Sequence, residues 1–277
     1  MIPPVVDSTQ LDLWRRTRPG AVVVADVRWY LDGRSGRAAY EAGHLPGAVF
    51  VDLDRWLARP GAPEEGRHPL PAPEVFAAGM SELGIADDGV VVAYDDQGGV
   101  IAARLVWLLR VTGHDAALLD GGLSGSAGPL STEPVHPQPT VFTPSPWPQE
   151  RLADLDDATA PGATVLDARA PDRYRGEHEP IDPRAGHIPG AVNVPCRENL
   201  DPTGRFLPVD LLRERLRTAG VQAGADVVSY CGSGVTACHN LLALELAGLG
   251  QGRLYAGSWS AYSNTPGRPV ATGDAPG

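Results

Sequence analysis

A duplicated α/β fold, two mainly parallel sheets each with helices on both faces, is what this sequence predicts. Three observations lead there. The chain repeats itself once, apolar runs alternate with helical patterns, and those runs are continuous rather than alternating. The repeat has four pieces. "VVVADVRWY" (Val22–Tyr30) returns as "ATVLDARAPDRY" (Ala163–Tyr174), and "YEAGHLPGAVFVDLD" (Tyr40–Asp54) as "PRAGHIPGAVNVPC" (Pro183–Cys196). "GVVVAYDDQGGVIAARLVWLL" (Gly89–Leu109) returns as "ADVVSYCGSGVTACHNLLALEL" (Ala225–Leu246), and "LLDGGLSG" near Gly121 as "RLYAGSWS" near Gly257. The order is the same and the offset is about 135–145 residues. That is too long for a solenoid unit and suits a duplicated domain.

Each element has a local reason. "AVVVADV" and "DGVVVAYD" are unbroken apolar runs, as strands covered on both faces require. "APEVFAAGMSELG" (Ala72–Gly84) and "VDLLRERLRTAG" (Val209–Gly220) have helical spacing, an acidic start and a terminal glycine. Strand–helix alternation gives a mainly parallel sheet, whose ligands bind at the carboxyl ends of the strands. Between the copies, residues 127–149 contain seven prolines and are expected to form a stiff, extended linker. The expected domains are therefore 1–126 and 150–277.

Composition removes several function classes. A net charge of −11 argues against nucleic acid or an anionic membrane as partner. All 23 basic residues are arginine, so Schiff-base chemistry, a P-loop lysine and pyridoxal phosphate attachment are excluded. An anion site must use arginine or backbone amides. The start, "MIPPVVDSTQ", has neither a basic nor an apolar leader region, and no apolar run is long enough to span a membrane, so a cytoplasmic protein is expected. Cys196, Cys231 and Cys238 form no disulfide framework and no zinc-ligand pattern. No cofactor and no metal are expected.

The stretch "SYCGSGVTACHNL" carries the chemistry. Val227–Tyr230 end a strand, Cys231 opens a tight turn, and Ala237–Leu246 continue as helix. Gly232 and Gly234 allow positive φ and close backbone approach. Successive amides in such a turn, with the helix N-terminus behind them, form an anion nest. Val235 belongs to the same run of amides, and Ser233 and Thr236 add hydroxyl donors. Such a loop suits a sulfur nucleophile that carries negative charge and holds a charged product. A cysteine merely packed beneath a helix is the plainer alternative. A cysteine phosphatase is another, but it needs an arginine six residues after the nucleophile, and that position is Ala237.

With "AGHIPGAVNVP" and "YCGSGVTA" in the second copy, the chain resembles the tandem rhodanese-type sulfurtransferases over nearly its whole length. The resemblance implies two rhodanese-like domains and a ping-pong reaction. The thiolate of Cys231 would take sulfane sulfur from 3-mercaptopyruvate or thiosulfate, form a persulfide, and pass it to cyanide, a thiol or thioredoxin. The uncharged "GSGVT" looks like the 3-mercaptopyruvate version rather than the thiosulfate version. In the first copy Asp95 stands where Cys231 stands, so that domain is expected to be catalytically silent. A metal site at "DDQGG" is the alternative for it. A sulfur carrier with little turnover is the alternative for the whole protein.

Further residues follow from the same resemblance. Arg173, in "DRYRG", matches the family's substrate arginine. A second arginine found in some members after "EP" is Ile181 here; Arg184 lies nearby but does not match. Asp54 and His68, from "FVDLDRWL" and "EEGRHPLP", would form a relay with Ser233. The plain alternative is that Asp54 caps the following turn and His68 is a surface residue. Arg169 follows Asp167 as Arg28 follows Asp26, and His44 and His187 open matching turns. Features kept in both copies are expected to be structural. Trp259 either walls the pocket or fills the core.

Overall fold

The computed structural model describes residues 1–126 and 128–277; Ala127, where the expected linker begins, lies outside the described residues. Two compact units form, and they are not simply the two halves of the sequence. The first comprises Met1–Arg59, Pro71–Trp147 and Leu200–Phe206; the second comprises Pro60–Leu70, Pro148–Asn199 and Leu207–Gly277. Each contains a five-stranded, wholly parallel sheet.

In the first unit the strands are β1 (Val5–Val6), β2 (Val22–Asp26), β3 (Val49–Phe50), β4 (Val90–Tyr94) and β5 (Asp115–Leu119), in the order β1-β5-β4-β2-β3. The central strand β4 is buried at every position, which explains its unbroken "VVVAY" run. Helices α1 (Ser8–Thr17), α2 (Gly36–Ala42), α3 (Pro73–Glu82) and α4 (Ala103–Val111) alternate with the strands. Asp7 caps α1 through the amide of Gln10 (2.8 Å), and Ser35 caps α2 through that of Ala38 (3.1 Å). Pro73 opens α3 at the position where a missing N–H costs nothing.

The second unit repeats the plan. Its strands are β6 (Leu152–Ala153), β7 (Thr164–Asp167), β8 (Val192–Asn193), β9 (Val227–Tyr230) and β10 (Arg253–Tyr255), in the order β6-β10-β9-β7-β8. Helices α5 (Pro171–Arg175), α6 (Val209–Thr218), α7 (Ala237–Leu246) and α8 (Ser258–Asn264) accompany them. Among the described residues no helix is long and apolar enough to cross a membrane.

Residues 128–147 of the proline-rich stretch are extended and belong to the first unit. Ser131 pairs with His44 through two backbone hydrogen bonds (2.9 and 2.8 Å). Phe142 meets Phe76 edge-on at 5.8 Å, and the indole N–H of Trp147 donates to the Pro71 carbonyl (2.8 Å).

The features kept in both copies brace the two sheets identically. Asp26 accepts from the backbone and guanidinium of Arg28, which also donates to the Gly43 carbonyl (2.7 Å). Asp167, Arg169 and the Gly186 carbonyl make the same unit. His44 stacks on Tyr40 at 4.0 Å, and His187 on Tyr174 at 3.7 Å. Each histidine Nδ1 also bonds the carbonyl of its stacking tyrosine (2.9 and 2.8 Å). Removing one partner of a buried ion pair strands the other charge away from water. Asp26→Ala should therefore cost about 3–5 kcal/mol in urea denaturation; a loss below about 1 kcal/mol would show that Arg28 finds another partner.

Candidate active site

The loop after β9 connects a buried strand to a buried helix. Cys231 is 2% exposed, and its sulfur accepts the backbone N–H of Gly234 at 3.1 Å. Gly234 has φ +79°, and a β-carbon there would lie 2.6 Å from the Ala256 carbonyl oxygen, so the turn admits no side chain. Gly232 differs from expectation, since its φ is not in the left-handed region. Its missing side chain leaves room for neighbouring guanidinium groups instead.

The start of α8 holds this loop. The amides of Trp259 and Ser260 donate to the carbonyls of Cys231 (3.0 Å) and Gly232 (2.9 Å). In a planar trans peptide the N–H points opposite to the C=O. Tying both carbonyls to α8 therefore turns the amides of Gly232 and Ser233 away from α8. The Cys231 amide itself donates to Ser258 Oγ (3.1 Å). Ser258 has φ +53° and is the one described non-glycine residue in the left-handed region. The matching residue of the first copy is Gly122, at φ +54°, and Leu123 there donates to the Asp95 carbonyl (2.8 Å). The second copy thus tolerates a strained serine, at roughly 1–2 kcal/mol, and gains a hydroxyl acceptor for the amide of Cys231.

The first copy displays what such a loop does. Asp95 is fully buried, and its carboxylate accepts four backbone N–H groups: Gln97 (2.7 Å), Gly99 (2.8 Å), Ile101 (2.7 Å) and Ala102 (2.9 Å). Burial pushes this carboxyl above the usual carboxylate range, and the four amides oppose that shift. Its neighbour Asp96 accepts from the Tyr30 hydroxyl (2.6 Å). The amides of "DDQGG" are thus spent on an anion supplied by the chain itself.

Around Cys231 the second unit gathers most of the residues expected from sequence. His68, on the Pro60–Leu70 segment, has its Nδ1 2.7 Å from Ser233 Oγ. Ser233 is therefore engaged by histidine, and the Thr236 hydroxyl lies beside the Cys196 thiol. Val235 is buried in the core. Arg173 binds Glu179 through Nε (3.2 Å) and Nη2 (2.6 Å). Asp54 belongs to the first unit, on a π-helical turn Leu53–Leu57, and accepts from the Trp29 indole (3.1 Å). The cap of that turn is Asp52, not Asp54.

The other arginines near the site are occupied. Arg169 is held by Asp167 and Glu179 and lies 4.6 Å from the Trp259 ring centroid. Trp259 is wholly buried and donates to the Arg184 carbonyl (2.9 Å), as a core residue does. Arg184 donates to four backbone carbonyls, those of Tyr262, Ser263, Thr265 and Arg268. None of the three cysteines forms a disulfide. Burial pushes the Cys196 thiol up to about 12, and the Cys238 thiol faces the Gly234 carbonyl at 3.4 Å.

Two residues escaped the sequence reading. Arg67 stands beside His68, in a stretch where any basic residue is a candidate anion ligand. Its amide donates to Ser260 Oγ (3.0 Å) and its Nη1 binds Asp182. Ser258 could have been found by aligning "DGGLSG" with "AGSWS", where a serine replaces a glycine.

Replacing Asp95 by asparagine puts an NH2 group where two backbone N–H donors need an acceptor. Asp95→Asn should lose at least about 2 kcal/mol of stability, measured by urea denaturation, since each buried unsatisfied donor costs roughly 1–3 kcal/mol. A neutral outcome would mean that the loop amides do not require an anion.

Known proteins share this architecture. The rhodanese-like domain family model matches residues 9–127 and again 148–265. A Pseudomonas aeruginosa protein named a probable 3-mercaptopyruvate sulfurtransferase is 46% identical over 270 residues, covering 91% of this chain and 93% of the relative. A Mycobacterium tuberculosis relative, 43% identical over 263 residues and covering 92% of both chains, carries the provisional name of a thiosulfate sulfurtransferase, SseB. The crystal structure of SseA from Escherichia coli, described as a 3-mercaptopyruvate sulfotransferase with the rhodanese fold, superposes with a TM-score of 0.80 at 31% identity. That match covers 93% of this chain and 99% of SseA. The chain belongs to the rhodanese family of sulfurtransferases, in its two-domain form.

Proposed function

We propose that this enzyme moves sulfane sulfur from 3-mercaptopyruvate to a thiophilic acceptor through a persulfide on Cys231. The observation that carries the reading is the pair of loops. One holds a full carboxylate on four amides, and its repeat presents an amide to the sulfur of a buried cysteine. A persulfide is an anion, and a loop of this kind stabilises it without reorganising.

In the first half-reaction the Cys231 thiolate attacks the donor sulfur. The new S–S bond forms as the donor's C–S bond breaks, and that electron pair goes to carbon. The proton of the donor thiol ends on the same carbon, so pyruvate leaves and the enzyme keeps a persulfide anion. His68 and Ser233, in contact beside the loop, are suited to carry this proton. We extend the relay to Asp54 only as the family resemblance implies. Arg173 binds the donor carboxylate, and Gly232, Gly234, Val235 and Thr236 line the cradle. In the second half-reaction an acceptor thiolate, cyanide or a reduced thioredoxin takes the outer sulfur and restores the Cys231 thiolate. The domain over residues 1–126, with Asp95 filling its own nest, does no sulfur chemistry. Residues 127–149 join it to the catalytic domain over residues 150–277. Three cysteines outside any disulfide suit the cytoplasm as its compartment.

The test is direct. Treatment with 3-mercaptopyruvate should add the mass of one sulfur atom to the peptide bearing Cys231, and an acceptor thiol should remove it. Cys231→Ser should abolish both events, because a hydroxyl holds no sulfane sulfur. A wild-type protein that turns over donor without that adduct would overturn the persulfide route. Charging without release to any acceptor would favour the carrier reading.

A further inference from the structure

Each unit has a groove between its edge strand and the end of the helix that follows. In the first unit it lies between β3 and α3, and in the second between β8 and α6. The walls correspond position by position. Val49 and Phe50 answer to Val192 and Asn193, as the stretches "GHLPGAVF" and "GHIPGAVN" align them. Glu82 and Leu83 answer to Thr218 and Ala219, since Leu83 and Ala219 close their helices with the same pair of backbone bonds. The first groove is covered by the chain itself. Val135, His136, Pro137 and Pro139 of the proline-rich stretch line it. Just beyond, the amide of Thr140 donates to the Ser81 carbonyl (3.0 Å) and that of Phe142 to Ser81 Oγ (3.0 Å). Pro137 and Pro139 have no N–H, so the segment covers the groove by packing and adds no strand to the sheet.

Among the described residues nothing covers the second groove in this way. The chain after α8 starts along the same path, for Ala271 exchanges two backbone bonds with His187 (2.9 and 3.0 Å) as Ser131 does with His44. It then turns back. Gly190 donates to the Pro276 carbonyl (2.6 Å), and no residue after α8 lines the groove. Asn193, Thr218 and Ala219 are smaller than Phe50, Glu82 and Leu83, and the open groove is the larger, about 470 Å³ against 350 Å³. Leu211, 53% exposed, gives it an apolar rim. Arg213 and Arg215 are paired with Asp210 and Glu198. Arg217 stands where Ser81 stands in the first copy; it is exposed and pairs with no carboxylate among the described residues.

We propose that the groove between β8 and α6 binds an extended, proline-containing peptide of a partner protein, laid as residues 135–142 lie on the first unit. The chain supplies the template for its own ligand. Where Phe50 and Leu83 narrow the first groove, Asn193 and Ala219 leave room for a bulkier apolar side chain of the partner. Where the strap reaches Ser81, the partner reaches Arg217, so a carboxylate just after the second proline is the complementary charge. Prolines hold such a segment extended before it binds, so little chain entropy is lost on docking.

The experiment titrates the full chain against a fluorescein-labelled peptide of residues 133–143, "EPVHPQPTVFT", and against its Thr140→Glu form, followed by fluorescence anisotropy. Both should saturate with Kd below about 1 mM. The glutamate form should bind about two- to fivefold tighter, and Arg217→Gln or high salt should remove that gain. Alanine in place of Pro137 and Pro139 in the peptide should weaken binding about fourfold or more. In the protein, Leu211→Glu and Ala219→Arg should each weaken it about fivefold or more. Urea midpoints show that each variant is folded; should Ala219→Arg not fold, Leu211→Glu decides, because Leu211 is exposed. No saturable binding of either peptide overturns the proposal, as does binding that the groove substitutions leave within about twofold. Equal binding of the alanine peptide overturns it too. Self-association of the chain that Leu211→Glu abolishes, with no peptide bound, would assign the face to a second copy and overturn the proposal as well. None of these readouts involves sulfur transfer, so the outcome is independent of the function proposed above.

Discussion

Backbone amides that converge on one buried point, at the carboxyl end of the central strand, are the constraint on which the rest depends. A strand covered on both faces that turns at once into a buried helix leaves several N–H groups without partners, and water cannot serve them there. The loop is stable only when something negative or strongly accepting sits at its centre. Low surrounding polarity makes that demand stronger, because it raises the cost of an empty nest and the gain from a filled one. The two copies answer it differently. Asp95 supplies a permanent acceptor with four amides on one carboxylate. Cys231 places its sulfur at the matching point, where it accepts the amide of Gly234.

Several features retained between the copies brace the strand ends next to the loop. The Asp–Arg pair, the stacked tyrosine and histidine, and the bond from α8 or its counterpart to the first loop carbonyl occur twice. Against that common frame, aspartate becomes cysteine and a left-handed glycine becomes a left-handed serine whose hydroxyl takes the amide of Cys231. The segment Pro60–Leu70 adds the remaining parts, bringing His68 to Ser233 and Arg67 to Gly232 within the second unit. The histidine, the guanidinium groups and the cysteine thus come from separate stretches of chain.

Much of this was legible before any coordinates. "VVVAY" and "VVSY" announced buried parallel strands by composition, and the GH-x-PGA turns were recognisable as structure because both copies keep them. Cys231 stood out because glycines and hydroxyls make poor packing around a thiol. What escaped was non-local. Nothing in "EEGRHPLP" says that it packs with residues far along the chain, so Arg67 went unnoticed beside His68. The role of Ser258 depends on a backbone angle that serine rarely adopts. The sequence predicts positive φ at Gly232, whereas the value of that glycine is the space it leaves for two guanidinium groups. Asp52 rather than Asp54 caps the π turn, a choice between two near-identical carboxylates that local spacing does not decide.

The central claim, that loop amides of the second unit are built to hold a sulfur anion, is met most directly by a high-resolution crystal structure of the donor-treated protein. The account predicts one additional sulfur bonded to Sγ of Cys231, pointing into the loop within hydrogen-bond range (about 3.5 Å for sulfur) of several amides among Gly232–Thr236. A persulfide that points away from those amides, or sulfur bound at another residue, would contradict it.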